Sequence, residues 1–568
     1  MKAAWLAAIV FLGGCRPATT SQPPTPTIAA PDFAAISHRI LDEHIAAHPE
    51  RGVELGLHAH DGKLSDVSMA GLEAERSRVN RAITDLEALD VGMLSTMQRV
   101  EHDTLLTALR TDRFELEVLR SPWRNPMFYL GKLDLTPYVS RDYAPIEQRA
   151  AAIIALAEAT PAFLRHAQEN LEPELPRTWL DTALLQARGT ATFIRFDVPA
   201  AMTGLPAADR AKLEAALSEM AKAVDAYAAH LDNAKATATD AFALGKDAFV
   251  QMMRETQGIE VDFDQLRTAL HEDLRRNAEA MVSTAAQIDP DRSVVKVVAE
   301  VNADKPAIDR VLDTATAQSG LARQFIVDRG IVSIPTDDVV HVVETPPFMR
   351  WNAAFLNGAG PFETKPLPSF YYISPPDPSW PRAKQVDYVP GTTDLLFITV
   401  HEVWPGHFLH GLHVKQNPSR VLKSLWTYTT GEGWAHYAEE MVWNEGLSTD
   451  PRVRVGMLSN ALLRNVRAVS AIGLHTEGWT VEQSREMFRE QAFQDEANAE
   501  QQAVRGTFDP MYLAYTVGKL AIVKLRKDVE AARGNAFSLR AFHDELLSYG
   551  AAPLSSIRRA MLGDSAML

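Results

Sequence analysis

Residues 399–413 read Thr399-Val400-His401-Glu402-Val403-Trp404-Pro405-Gly406-His407-Phe408-Leu409-His410-Gly411-Leu412-His413. Four histidines fall in thirteen positions of a chain that has 17 in 568 residues, where chance would place fewer than one. Neutral imidazole and carboxylate are good zinc ligands. A helical His-Glu-x-x-His segment works because residues four apart share a face, with the Glu beside the bound water. Here the next histidine stands six residues after His401. Six residues of regular helix turn about 240° and rise about 9 Å, so two imidazoles on an unbroken helix could not share an ion. Pro405 has no N–H to donate and its ring would meet the carbonyl of residue 401, while Gly406 tolerates conformations that other residues resist. The segment is therefore expected to absorb two extra residues as a bulge and to swing His407 back beside His401. His410 and His413 are assigned to packing or to supporting the ligands.

A third ligand is expected from a neighbouring helix. The segment Gly431-Glu432-Gly433-Trp434-Ala435-His436-Tyr437-Ala438-Glu439-Glu440 offers Glu432, twenty-five residues past His407. Glu432 and Glu439 lie seven apart, on nearly one face, and pointing two carboxylates inward is costly unless a cation or donors compensate. Metal plus histidine would do so; the alternative is a solvated face, against which the apolar company of Trp434, Tyr437 and Trp443 speaks. Glu439 would then hold a ligand imidazole in the right tautomer. His436 is either a substrate-binding or a core histidine.

Three protein ligands leave the fourth position of a tetrahedral ion open for water, as in catalytic rather than structural zinc. Glu402 would take the proton of that water as general base and pass it to the leaving amine. The oxyanion of the intermediate needs a further donor. Asp509-Pro510 reads as an N-cap followed by a first-turn proline, which puts Tyr512 and Tyr515 on nearby positions of one helix. Each is otherwise a buried aromatic. Arg350, Lys519 and Arg526 are the cations considered for holding a substrate terminus.

Outside these segments the chain reads as mainly α. From 32 to 338, apolar residues recur at spacings of three and four between Pro and Gly breaks. After Pro206, Leu213, Leu217, Met220, Val224, Tyr227 and Leu231 form one stripe, which is core packing. Between His341 and Pro390 the texture turns Pro-rich and aromatic. The run Phe370-Tyr371-Tyr372-Ile373-Ser374 is expected to form a small β-hairpin or edge strand before the metal-binding helix, either covering the core or offering backbone to an extended peptide. Helical periodicity then continues to about Leu547. Residues 32–338 and 339–568 are read as a helical region and a zinc-binding region of one continuous fold.

A formal net charge of −16, with no Lys/Arg cluster, argues against nucleic acid as a partner and against electrostatic adhesion to anionic lipid. Lys2 precedes the apolar run Ala3 to Leu12, too short to span a bilayer, and residues 1–14 read as a signal peptide. Cys15 is the only cysteine, so no intrachain disulfide is possible. Leu12-Gly13-Gly14-Cys15 resembles a bacterial lipobox, which implies lipidation of Cys15 and membrane attachment; the other reading is an incidental thiol. Residues 15–31, rich in Pro, Thr and Ser, form the tether. Arg16 after the cysteine, in place of Asp, favours the outer membrane of a Gram-negative cell.

The segments His401-Glu402-Val-Trp-Pro-Gly-His407, Glu432-Gly-Trp-Ala-His-Tyr-Ala-Glu439 and Tyr515-Thr-Val-Gly518-Lys519 together resemble the domain-of-unknown-function-885 family of bacterial proteins, over nearly all of the mature chain. That family in turn resembles the gluzincin peptidases of the thimet oligopeptidase kind. These are helical enzymes whose shorter His-Glu-x-Gly-His motif is followed about 25 residues later by a ligand Glu. The resemblance implies a multi-helix, zincin-like fold with a deep cleft, one zinc ion on His401, His407 and Glu432, and Tyr515 as the oxyanion donor. It departs at Trp404-Pro405, a two-residue insertion. The expected activity is hydrolysis of peptide bonds in short peptides. The alternatives are a catalytically inactive helical envelope lipoprotein that binds a partner or solute, and a zinc hydrolase acting on non-peptide amides or esters.

Overall fold

Helix follows helix from Phe33 to Arg329, as the spacing of apolar residues requires. The computed structural model describes residues 32–346, 349–350 and 353–563; residues 1–31, which carry the expected signal peptide, Cys15 and tether, lie outside the described residues. From Phe33 onward the chain forms one compact unit. The stripe predicted after Pro206 is buried along the helix Ala207–Ala234, which packs on Ile146–Asn170 and Arg177–Thr192 around a core of its own. Helix starts follow capping chemistry. At Thr96–Phe114 the Ser95 Oγ accepts from Gln98 N, and Gln98 Oε1 accepts from Ser95 N at 3.0 Å, so two end donors are satisfied reciprocally. Among the described residues no helix is long and apolar enough to cross a membrane.

We number the elements that build the site. They are α1 (Phe263–Ile288), the strands β1 (Val340–Glu344), β2 (Ala354–Asn357) and β3 (Ser369–Ile373), and then α2 (Thr392–Glu402), α3 (His407–Gln416), α4 (Tyr428–Asn444), α5 (Pro451–Thr476) and α6 (Ala514–Arg533). The sheet has the order β1-β3-β2, with β1 parallel and β2 antiparallel to β3. The run expected to be a hairpin or edge strand is therefore the central strand. Tyr371 and Tyr372, both buried, explain why: aromatic side chains gain most with a neighbour on each side. The two edge strands are β1 and β2, and β2 packs on α2. Helical structure also runs past Leu547, because Leu554–Leu562 adds a further helix after Pro553.

One hydrophobic core joins α1, α2, α4, α5 and α6, with Leu274, Phe397, Trp434, Val466 and Ile522 among its buried members. Helix α5 is buried on nearly every face from Val455 to His475. Such a helix cannot discard charge to solvent, so Arg464 and Arg467 within it require partners. Helices α4 and α6 meet backbone to backbone: a Cβ on Gly518 would overlap Thr429 O and Gly433 Cα. Gly518→Ala should force the two helices apart and cost about 3 kcal/mol, read as a lower urea midpoint at unchanged slope. An unchanged midpoint would mean that the helices separate freely.

Candidate metal centre

Helix α2 ends at Glu402. Val403 leaves helical geometry at φ −119°, ψ −83°, Gly406 N–H donates to Val400 O at 3.1 Å, and α3 starts at His407. A Cβ on Gly406 would overlap the His401 carbonyl oxygen, so glycine is what lets the chain close this tightly. Trp434 Nε1 donates to Pro405 O at 2.8 Å and ties the turn to α4. The expected bulge is thus a complete break between two helices, because Pro405 removes a donor where two extra residues must also be housed. The consequence for His407 is the expected one: its ring lies 4.7 Å from that of His401, at 86°.

Glu432, on α4, comes up between the two imidazoles. Its Oε2 lies 3.3 Å from His401 Nε2 and 3.2 Å from His407 Nε2. That oxygen is buried and has no hydrogen-bond partner of acceptable direction, so the rings approach it without aiming an N–H at it. Tetrahedral ligands with bonds of about 2.0–2.1 Å stand about 3.3 Å apart, and the two-histidine, one-carboxylate donor set is that of a zinc-type ion. Burial alone would raise Glu432; His407 and His401 outweigh it and hold the carboxyl well below the usual range. Burial and Arg464 push His401 down, but Glu432 and Glu439 prevail and lift it to about 9. A second grouping, His44, His48 and Asp112, differs in holding a cation of the protein's own: Arg78 Nη2 lies 3.6 Å from Asp112 Oδ2, and Glu75 joins His48 to Arg78. We read it as an ion network.

The opposite nitrogen of His401 is fixed by Glu439, on the same face of α4 as Glu432. His401 Nδ1 donates to Glu439 Oε1 at 2.7 Å, leaving Nε2 toward Glu432. Arg464 Nη2 reaches the same Glu439 oxygen at 3.0 Å, and Arg464 Nη1 donates to Asn460 O at 2.9 Å. Asn460 donates to Asp394, whose burial pushes its carboxyl up to about 6. Glu402, half-buried, accepts from the backbone N–H of Leu356 on β2 at 2.9 Å, so one edge strand of the sheet runs past it. Tyr515 stacks on His401, ring centroids 6.0 Å apart at 20°. Burial, then Glu432, raise its hydroxyl, which stays a donor at neutral pH. Tyr428 stands 5.9 Å from Tyr515, with its hydroxyl tied to Arg505 at 2.9 Å.

Several candidates lie elsewhere. Tyr512 sits in the 3₁₀ turn Pro510–Leu513, ahead of α6 rather than on it. It is fully buried and donates to Ser470 Oγ at 2.9 Å. Asp509 makes no side-chain cap; it pairs with Arg505 at 2.8 Å. His436 is buried beneath Glu439, and burial pushes it down to about 4, so it is a core histidine rather than a substrate ligand. His410 and His413 bond the carbonyls of Gly550 and Ser333 at 3.1 and 3.0 Å, in packing roles. Arg350 clips Thr345 O and Glu344, and Arg526 donates to Tyr437 at 3.1 Å, so both have partners within the protein.

Lys519 is buried and paired with Asp273 of α1 at 2.7 Å, a structural bridge and not a substrate contact. Burial alone would raise Asp273 and Glu440; Lys519 and Arg276 outweigh it and hold both at about 2. Folded values below the unfolded ones give stability that is complete above about pH 4.5 and is lost as the pH falls toward 2. Lys519→Met should cost about 3–5 kcal/mol at neutral pH by leaving a buried carboxylate short of a partner. The gap in Tm to wild type should shrink as the pH approaches 3, where Asp273 of the variant is protonated. An equal gap at pH 7 and pH 3 would contradict this.

The family described as a bacterial protein of unknown function, DUF885, matches residues 49–561. No curated protein matches the chain. Solved structures share the fold, two of them as follows. A candidate lipoprotein of unknown function from Shewanella oneidensis aligns with TM-score 0.78 and 22% identity over 94% of this chain and 100% of its own. A candidate lipoprotein from Colwellia psychrerythraea aligns with TM-score 0.77 and 16% identity over 93% and 98%.

Proposed function

The chain belongs to the DUF885 family of bacterial proteins, and for it we propose a zinc-dependent peptidase activity on short peptides, in a helical fold of the zincin kind. The observation that carries this reading is the buried, unpartnered Glu432 Oε2 set between His401 Nε2 and His407 Nε2, with Glu402 at the end of the same helix as His401. His401, His407 and Glu432 would hold one zinc ion, which when bound supplies a Lewis acid that brings the pKa of a water toward neutrality. Glu402 takes the proton of the attacking water on its carboxylate and delivers it to the leaving amine. The Leu356 N–H holds one Glu402 oxygen and leaves the other for that proton. Glu439 keeps His401 in the tautomer that turns Nε2 to the site, and Arg464 keeps Glu439 ionised.

Tyr515 donates its hydroxyl to the developing oxyanion. Tyr428, the other tyrosine nearby, has its hydroxyl committed to Arg505. An extended peptide would pair with β2, the sheet edge beside Glu402, since backbone pairing accepts many sequences. Lipidation at Cys15 would hold the enzyme at the cell envelope, and Arg16 favours the outer membrane. Incubating the zinc-loaded chain with a mixture of short peptides and following products by mass spectrometry tests the activity. Cleavage that a chelator abolishes and zinc restores is expected; intact peptides throughout would overturn it.

A further inference from the structure

Three arginines crowd the two tyrosines beside Glu432, and two of them are neutralised. Arg464 gives Nη2 to Glu439 at 3.0 Å, and Arg505 pairs with Asp509 at 2.8 Å. Arg467, one turn after Arg464 on the buried helix α5, is 9% exposed. It donates only Nε, to Gln502 Oε1 at 2.8 Å, and forms no ion pair with a described acidic residue. Its Cζ lies 5.0 Å from the centroid of the Tyr515 ring, and Tyr515 in turn stacks on His401. Burial, then Arg505, bring its pKa down. A guanidinium buried without an anion is costly, and a tyrosine face returns only about 0.5–2 kcal/mol. The two Nη groups form the planar fork that fits a carboxylate through two parallel bonds.

We infer that Arg467 binds a carboxylate of the peptide substrate, from its C-terminus or from an acidic side chain. The inference rests on the peptidase reading and adds a substrate class to it. Arg467 and His401 both approach the Tyr515 ring, at 5.0 and 6.0 Å from its centroid. Extended chain advances about 3.5 Å per residue, so the anchored carboxylate stands within about three residues of the bond that is cut.

Calorimetric titration of Glu402→Gln protein, supplied with equimolar zinc, tests this with three N-acetylated peptides: tetra-alanine acid, its C-terminal amide, and Ala-Ala-Glu-Ala amide. One carboxylate-bearing peptide is expected to bind about 10- to 100-fold more tightly than tetra-alanine amide, and which one does so identifies the source. Adding Arg467→Gln should remove that preference, and Arg467→Lys should keep part of it. The inference is overturned if the acid, the Glu peptide and the amide bind alike, if none binds, or if Arg467→Gln retains the preference. The preference in the parent protein is read even if Arg467→Gln does not fold. Wild-type protein that binds the acid and cleaves nothing would sink the peptidase reading alone. Cleavage that ignores the carboxylate would sink this inference alone.

Discussion

Glu402→Gln should keep its zinc and lose about 10²–10⁴-fold of its peptide turnover, the range that general acid–base catalysis supplies. The argument rests on what Glu402 touches. It ends α2 one residue after the ligand His401, and its one hydrogen bond goes to the Leu356 backbone N–H at 2.9 Å. Gln has nearly the same shape and its carbonyl oxygen can still accept from that N–H, so the β2 edge and the three ligands should stay in place. The amide cannot take a proton at neutral pH, so only the proton transfer is removed. Zinc content by mass spectrometry and kcat on a short peptide check both halves. Undiminished turnover would remove Glu402 from the mechanism, and lost zinc would make it a ligand.

His407→Ala should take zinc from one ion per chain to background, and activity with it. Two donors, His401 and Glu432, remain, one fewer than the three protein ligands that a catalytic zinc site uses. The fold should survive, because the His407 side chain is 20% exposed and starts α3 rather than filling the core. An unshifted Tm in the metal-free state with zinc at background is the expected pair of readings. A variant that retains stoichiometric zinc would place the ion elsewhere, with His44, His48 and Asp112 the other grouping to examine.

The sequence argument that two inward carboxylates seven apart need a cation or donors is answered by geometry, since Glu432 and Glu439 meet at opposite nitrogens of His401. The same argument applied to Arg464 and Arg467, three apart inside an apolar helical run, would have found the two arginines of the site. Their charge was legible, but their partners were not. Strand β2 left little signal, being four residues long with no alternation of burial, and its place at the sheet edge depends on β3 lying between it and β1. Lys519 fell within a shared motif and looked like a substrate contact. Its partner Asp273 stands 246 residues earlier in the chain, a distance over which local pattern says nothing. Gly518 lies in the same motif because α4 and α6 approach closely there, a contact that local pattern does not reveal. The break at Pro405 was legible in kind. Its extent, two helices instead of one bulged helix, depends on Gly406 and on the hold of Trp434.

Anomalous diffraction at the zinc edge, from crystals of the chain supplied with one equivalent of zinc, addresses the shared ion itself. One peak is predicted, bonded to His401 Nε2, His407 Nε2 and Glu432 Oε2 at about 2.0–2.2 Å. No peak between those atoms, or a peak only at His44, His48 and Asp112, would contradict the metal centre and the peptidase chemistry built on it.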